Sequence, residues 1–354
     1  MCSTSTGNKN TQDKIDDGIY PFYVRSQTVE RINSWTFDGE AILTAGDGVG
    51  VGKVFHHTYG KIGVHQRVYI LSNFKCDANY LFHFFSSHFY NRVKRMSAKN
   101  SVDSVRKEMI TEMPLYLPSK QEQAKIGVLL SLLDERISTQ NKVIDKLQSL
   151  IKGIMANLQK RGLKNNTWGK ISLCDVLAER KELNKQLYPV FSVSVSQGVI
   201  NQIEYLGRSF AAKDTSKYHV VYYGDIIYTK SPTGDFPYGI VKQNYNQEKV
   251  AVSPLYGVYV PKSYSIGVFL HEYFKSNVNT YNYLHPLIQK GAKNTINITN
   301  QHFLENKVAM PLVEQELVRI SNLILSLNAK IMLMQYLKDK YGRQKQYLLR
   351  QMFV

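Results

Sequence analysis

The chain has 354 residues, of which 45 are Lys or Arg and 28 are Asp or Glu, so its formal net charge is +17. This surplus points to a polyanionic partner, nucleic acid or an anionic membrane, and leaves open a basic protein whose charge only aids solubility. Three scattered cysteines, a polar start and no apolar run of roughly 18–20 residues predict a cytoplasmic protein without a disulfide framework, zinc ribbon, signal peptide or membrane helix.

A diverged internal repeat divides the chain into two halves, in line with the two domains that its length suggests. Four short stretches recur in the same order: residues 19–24 (IYPFYV) and 187–192 (LYPVFS), 39–44 (GEAILT) and 224–229 (GDIIYT), 98–102 (AKNSV) and 292–296 (AKNTI), and 113–115 and 310–312 (both MPL). Apolar runs such as 220–223 and 226–228 predict strands in both halves, mixed with helices around 80–89 and 268–274.

Residues 46–53 (GDGVGVGK) form a glycine-rich stretch that fits neither the phosphate-loop pattern nor the dinucleotide fingerprint. Two interpretations remain: a tight turn between strands, or a glycine loop that lets the backbone approach a DNA phosphate. In the second interpretation Lys53, His56, His57 and Lys61 flank the phosphate. Because His56 and His57 are adjacent, their rings should lie on opposite sides of a strand.

Basic residues cluster among Tyr, Ser, Thr and Asn, which suits contacts to phosphates and base edges. The repeated Lys99-Asn100 and Lys293-Asn294 pairs predict equivalent DNA-facing positions; a shared turn before a strand is the alternative. The DNA-binding prediction comprises Arg25, Lys53, His56, His57, Lys61, Arg95, Lys99 and Asn100 in the first half, and Lys213, Lys230, Ser231, Thr233, Lys242, Lys290, Lys293 and Asn294 in the second. An ordinary solvated surface is the alternative for any one of them.

Each half ends in a long helical pattern. Apolar residues alternate at steps of four and three from Ile126 to Leu158, and the pattern recurs 194 residues later, where Lys338 and Lys345 interrupt it. Two such helices in one chain most simply pack against each other, although each could instead cover its own domain. The polar, basic residues 157–168 suggest a connector into the second half.

No catalytic pattern emerges from the sequence. The Asn/Asp-Pro-Pro-Tyr/Phe tetrapeptide of amino-methyltransferases and the HExxH pattern are absent. Asp175 with Glu179-Arg180-Lys181 is too compact for a nuclease site and suggests a helix surface. We therefore predict a non-catalytic chain with no metal or cofactor of its own. A self-contained DNA methyltransferase or nuclease with an unrecognised site, and a coiled-coil scaffold protein, stay open as alternatives.

Two diverged units, each closed by a long heptad helix, resemble the specificity (S) subunit of type I restriction-modification systems. Residues 113–126 (MPLYLPSKQEQAKI) and 310–320 (MPLVEQELVRI) are similar to the segments that lead into that family's two spacer helices, and 224–232 (GDIIYTKSP) to its target recognition domains. The second half opens with 168–177 (WGKISLCDVL), like the family's first strand. Residues 2–17 show no such opening, so we expect the first domain to lack its opening segment, which leaves its edge undefined.

The resemblance implies an α+β chain with two similar target recognition domains, separated by two long antiparallel coiled-coil helices and related by a pseudo-two-fold. The expected boundaries are 1–117 for the first domain, 118–160 for the first spacer helix, 161–313 for the second domain and 314–354 for the second helix. The domains would each read half of a bipartite site on double-stranded DNA. Modification subunits would bring S-adenosylmethionine, and restriction subunits, bound through the methylase core, would bring ATP and magnesium.

Overall fold

The computed structural model describes residues 1–97, 104–208, 211–290 and 296–353, and has a mixed α/β fold. The chain divides into two compact units. Unit 1 comprises Met1–Lys142 and Gln335–Val354, and unit 2 comprises Val143–Met334. Each of the two long helices, α3 (Lys120–Lys164) and α8 (Glu314–Met352), contributes one part to unit 1 and the other to unit 2.

Unit 1 contains a six-stranded sheet with the order β1-β6-β4-β5-β2-β3. Its strands are β1 (Ser3–Thr6), β2 (Tyr20–Tyr23), β3 (Val29–Ile32), β4 (Phe37–Ala45), β5 (Phe55–Val64) and β6 (Val68–Ser72). All neighbours are antiparallel except β2 and β5, which are parallel. The polar N-terminal residues therefore form an edge strand, although the sequence predicted no strand there.

Both faces of the central strand β4 are covered. Ile42 packs with residues of helix α1 (Ala78–Met96), whereas Leu43 packs with apolar residues of the sheet on the other face, and both are fully buried. The carboxylate of Asp77 caps α1 by accepting a hydrogen bond from the Tyr80 amide at 2.8 Å. A short helix, α2 (Lys107–Thr111), follows before α3.

Unit 2 contains a four-stranded sheet with the order β13-β12-β15-β8 and several two-stranded ribbons. Its strands are β7 (Trp168–Ser172), β8 (Leu177–Glu179), β9 (Phe191–Ser194), β10 (Gly198–Asn201), β11 (His219–Val221), β12 (Ile226–Tyr228), β13 (Val241–Gln243), β14 (Val250–Val252), β15 (Gly257–Pro261), β16 (Gln289–Lys290), β17 (Ile296–Asn297) and β18 (Lys307–Pro311). Its shorter helices are α4 (Gln202–Leu206), α5 (Tyr264–Tyr273), α6 (Asn277–Leu284) and α7 (Asn300–Glu305).

The two units share a strand order. In unit 1 the order β1-β6-β4-β5 is antiparallel throughout, and β8-β15-β12-β13 repeats it in unit 2. The parallel pairing of β2 with β5 through Phe22 recurs as the parallel bridge between Val190 and Ala251, beside the β9–β10 hairpin. The repeated stretches 39–44 and 224–229 thus contain the central strands, and 19–24 and 187–192 contain the parallel contacts.

Within each unit, α3 and α8 contact each other. In unit 1, Leu130 of α3 lies in one apolar cluster with Leu348 and Leu349 of α8. In unit 2, Ile144 and Ile151 lie in one cluster with Leu327 and Ile331. The interpretation of two helices without mutual contact is therefore wrong.

Two polar features of the helices differ from the sequence expectation. Lys345, which interrupts the second heptad pattern, lies opposite Asp134 of α3, and its ammonium donates to that carboxylate at 2.5 and 2.6 Å. The connector predicted for residues 157–168 is also wrong in its first part, because helix α3 continues to Lys164. Gly162 lets the Trp168 ring pack against this end of α3, since a Cβ there would lie 2.1 Å from Cδ1 of Trp168.

Two further expectations need correction. Glu179 ends strand β8, and its side chain accepts a hydrogen bond from Asn300. Arg180 forms a bidentate ion pair with Asp225 at 2.7 and 3.0 Å. This stretch is therefore not a helix surface. Helix α8 is long and apolar enough to cross a membrane by length and composition alone. Its residues Leu317 and Ile320 lie in the core of unit 2.

Candidate nucleic-acid interface

The loop between β4 and β5 (residues 46–54) contains the glycine-rich stretch and runs as a series of turns. Gly48 and Gly52 adopt positive φ values of 76° and 63°, which favour glycine. The Gly46 carbonyl accepts a hydrogen bond from the Val105 amide at 2.7 Å, and Val49 at the tip is fully exposed. The loop is thus anchored at its base and open at its tip.

Two arginine side chains lie close to the carboxylate of Asp47 in this loop. Arg25 donates to the Asp47 carboxylate at 2.8 Å, and Arg67, from the turn between β5 and β6, lies 3.6 Å from its second oxygen. Burial, followed by the charge of Arg25, lowers the pKa of His65 nearby. Because both arginine side chains stay well exposed, at 45% and 64%, the cluster can still present guanidinium groups to an anion.

Lys53 and Lys61 are exposed cations beside aromatic rings. The Lys53 ammonium lies 5.0 Å from the ring centre of Tyr90, and the Lys61 ammonium lies 5.2 Å from that of Trp35. Neither forms an ion pair within the described part of the chain. Such cations are available to phosphate oxygens, since no carboxylate competes for them.

The rings of His56 and His57 both contact other groups of unit 1. The Nε2 of His56 lies 3.1 Å from the Ser26 carbonyl, and burial lowers the pKa of His56, which keeps its ring neutral. The Nε2 of His57 lies 3.1 Å from the Glu40 carboxylate, and its ring stacks on Phe82. The rings contact different parts of unit 1, in keeping with their adjacent positions on β5.

The basic cluster after residue 91 is described only in part. Arg95 lies exposed in the last turn of α1, and its Nε is 3.4 Å from the Asn91 carbonyl. Lys99, Asn100, Lys293 and Asn294 lie outside the described residues, as does the side chain of Lys290. The predicted equivalence of the two Lys-Asn pairs stays a prediction.

In unit 2 the loop between β12 and β13 (residues 229–240) contains Lys230, Ser231 and Thr233. Lys230 adopts a positive φ of 60° and is partly buried, and this burial lowers its pKa. Thr233 and Phe236 exchange two backbone hydrogen bonds of 3.0 Å, which close a tight hairpin. This loop leaves the central strand at the position that corresponds to residues 46–54 of unit 1.

Two other predicted cations of unit 2 differ in environment. Lys213 is exposed in an irregular segment. Lys242 is only 5% exposed, and its ammonium donates to the Val195 carbonyl at 2.8 Å. Burial, followed by the charge of Lys275, lowers the pKa of Lys242 to about 8. A buried ammonium held by a carbonyl cannot reach DNA, so Lys242 is a structural residue and the prediction for it is wrong.

Arg67 was missed by the sequence reasoning, because only the fold brings it to Asp47. Its position before the β6 strand gave no signal of that contact. Among the described residues there is no group of three or more His, Cys, Asp or Glu side chains that could hold a metal ion. The arrangement in both units is therefore that of polar and cationic loops on buried strands, which can bind anions and hydrogen-bonding groups.

Comparison with known proteins agrees with this arrangement. Residues 2–149 match the family model described as type I restriction modification DNA specificity domain. The specificity subunit of the type I restriction enzyme EcoDI from Escherichia coli is 27% identical over 152 residues, which are 43% of this chain and 33% of that protein. The match thus spans about a third of the length of this curated relative.

A solved structure agrees in fold. The S subunit of a type I restriction-modification system from M. genitalium has a TM-score of 0.71 at 13% identity, over 100% of this chain and 94% of that one. The HsdS subunit from Thermoanaerobacter tengcongensis, at 14% identity over 94% and 83% of the two chains, has a TM-score of 0.37, too low to add to the argument. Residues 2–149 thus match a type I restriction modification DNA specificity domain, and the chain has the fold of the M. genitalium S subunit.

Proposed function

We propose that the chain is the sequence-specific DNA-binding subunit of a type I restriction-modification complex, that it reads a bipartite target, and that it directs methylation and restriction by partner subunits. The observation that carries the proposal is the shared strand order of the two units. Each unit holds a polar loop between its central strand and the next strand, at residues 46–54 and 229–240. Two equivalent loops on equivalent strands are what a reader of two half-sites needs.

Charge supports DNA as the ligand. Arg25, Arg67 and Lys53 place exposed cationic groups in and around the first loop. Lys61, opposite Asp38, adds an exposed cation at the other end of the β4–β5 hairpin. Phosphate contacts of this kind supply affinity without sequence information. Ser231 and Thr233 of the second loop, and the backbone of the glycine-rich first loop, supply neutral donors and acceptors that suit base edges.

The long helices support a role as spacer and as docking surface. At about 1.5 Å per residue, a helix of 45 residues such as α3 is roughly 68 Å long. Exposed apolar residues remain on α3, for example Val128 at 53% and Leu132 at 50%, and on α8, for example Met332 at 72%. Exposed apolar helix faces mark protein interaction sites. We propose that modification subunits bind here and that restriction subunits join through the methylase core.

The proposal assigns the chemistry to the partners. S-adenosylmethionine, ATP and magnesium would be bound by the modification and restriction subunits, and this chain would bind no cofactor of its own and act without catalysis. Its two long helices would form a coiled-coil pair between two similar domains related by a pseudo-two-fold. This arrangement would hold the two half-sites of the DNA at a fixed spacing. The cytoplasm, where the DNA lies, is the proposed location.

A DNA-selection experiment with the modification subunit present tests the proposal. Randomised duplex DNA bound by the complex should yield two short conserved stretches at one fixed separation. A scaffold protein would give no sequence preference. The purified chain alone, incubated with DNA, S-adenosylmethionine and magnesium, should neither methylate nor cut; either activity would instead favour a self-contained methyltransferase or nuclease.

A further inference from the structure

Two corresponding hairpins carry the same short sequence at their turns. Tip 1 (residues 24–28) joins β2 to β3 in unit 1, and tip 2 (residues 195–197) joins β9 to β10 in unit 2. Residues 26–29 are SQTV and residues 196–199 are SQGV, so three of the four residues are identical. The Ser-Gln pair thus recurs in both units, although the loops after the central strands differ in length and composition.

Tip 1 is fixed against the glycine-rich loop of unit 1. The guanidinium group of Arg25 donates to Asp47 of that loop at 2.8 Å, and a Cβ on Gly50 would lie 2.4 Å from the Arg25 carbonyl oxygen. His56, the second residue of β5, places its Nε2 3.1 Å from the Ser26 carbonyl. Side-chain and backbone contacts therefore hold the tip beside the loop.

Tip 2 is fixed from a similar position in unit 2. Lys242, the second residue of β13, donates from its ammonium to the Val195 carbonyl at 2.8 Å. The buried Ser194 hydroxyl accepts from the Gln197 amide at 3.4 Å and donates to the Tyr205 hydroxyl at 3.2 Å. In both units a basic residue near the start of the strand after the loop thus contacts a carbonyl of the tip, which places tip and loop side by side.

The glutamines of the two tips have free side-chain amides. Gln27 and Gln197 are exposed, and neither side-chain amide forms a hydrogen bond within the part of the chain that the structure describes. The hydroxyls of Ser26 and Ser196, in contrast, bond within their own hairpins. The serines therefore stabilise the turns, whereas the glutamines remain available to a ligand.

The chemistry of glutamine suits one base in particular. Its side chain combines an acceptor oxygen with amide hydrogens, and this pair matches the N6 amino group and N7 of adenine in the major groove. The major groove of B-DNA also admits a two-stranded ribbon such as these hairpins. A hairpin tip with an exposed glutamine is thus suited to read an A·T base pair.

We propose that Gln27 and Gln197 are specificity-determining residues, each of which binds the major-groove edge of one adenine, one in each half of a bipartite DNA site. The inference rests on the proposed function and adds to it the residues and the base that is read. Because each tip is fixed beside its loop, tip and loop form one reading surface in each unit. A side chain on a preorganised turn loses less entropy when it binds, which favours discrimination.

DNA selection with the complex of this chain and the modification subunit tests the inference. The wild type should select two conserved stretches, each with at least one fixed A·T pair. Gln27→Ala should lower the preference for one such pair by about 5- to 150-fold in one half-site only, and Gln197→Ala should do so in the other half-site. Gln121→Ala and Gln247→Ala are the matched controls, at exposed glutamines in α3 and in the turn after β13, and should leave both half-sites unchanged.

A change of base identity separates base reading from support of the fold. Gln27→Arg should replace adenine by guanine at the affected position, because arginine pairs with O6 and N7 of guanine. The inference is overturned, while the proposed function stands, if the wild type selects a bipartite site and the alanine variants keep every preference or weaken all positions equally. If the wild type selects no bipartite site, the proposed function fails and the inference fails with it.

Discussion

Two exposed lysines of unit 1 offer a quantitative test of DNA binding. Lys53 and Lys61 rest on aromatic rings and form no ion pair among the described residues. Each phosphate contact contributes about 0.9 to the slope of log K against log salt on duplex DNA. The double variant Lys53→Gln, Lys61→Gln should therefore lower the slope by about 1.8 and, at 0.1 M salt, weaken binding by roughly 60-fold.

The fold should tolerate this change. An exposed cation over an aromatic ring contributes only about 0.5–1 kcal/mol. Fluorescence anisotropy with a non-specific duplex between 50 and 300 mM KCl measures the slope. Lys14→Gln is the matched control, because the Lys14 ammonium is bound to Glu30 at 2.9 Å and Asp16 at 3.3 Å and should matter little for DNA. An unchanged slope in the double variant, or an equal loss in the control, would refute the phosphate role of these lysines.

Four other predictions follow from the structure. Insertion of one heptad into α3 lengthens it by about 10 Å, about three base pairs, so the methylated half-sites should move apart; unchanged spacing would contradict the spacer role. Trp168→Ala should destabilise unit 2 by about 3–5 kcal/mol in urea unfolding, because the ring is 4% exposed and bonded to Glu316; Trp35→Ala, at an exposed ring, is the control. The folded-state pKa of Lys242, about 8, lies below its ordinary value near 10.5, so stability should rise between pH 8 and 10, and Lys242→Met should remove that rise. Replacement of residues 231–235, which leaves the buried Phe236 in place, by another polar sequence should change the DNA sequence of one half-site only; changes in both halves would contradict independent reading.

The sequence was sufficient for the elements with regular patterns. The heptad spacing located both long helices, and the runs around Val220 and Ile226 located strands, because these patterns are local. The repeat also identified the equivalent central strands. These parts follow from periodicity alone.

Other features depend on contacts that no local pattern contains. Lys345 reads as a break in the second helix, yet its partner Asp134 lies 211 residues away. Lys242 lies between Val241 and Gln243 in a strand that is buried throughout, so the alternation that normally points a lysine to solvent does not apply. The basic end of α3 was predicted to be a connector, because polar composition does not distinguish an exposed helix from a loop.

The two loops are attached to similar strands by different means. The first is held by the bond from the Val105 amide to Gly46 and by the ion pair of Arg25 with Asp47. The second is held by the paired backbones of Thr233 and Phe236, whose ring is buried. The exposed tips of the loops, at Val49 and Ser231, lie outside the buried residues that fix β4 and β12, so the tips can change without loss of the strand order. In a reader of two half-sites, this separation allows each half of the target to vary on its own, and it explains why the strands recur between the units while the loops do not.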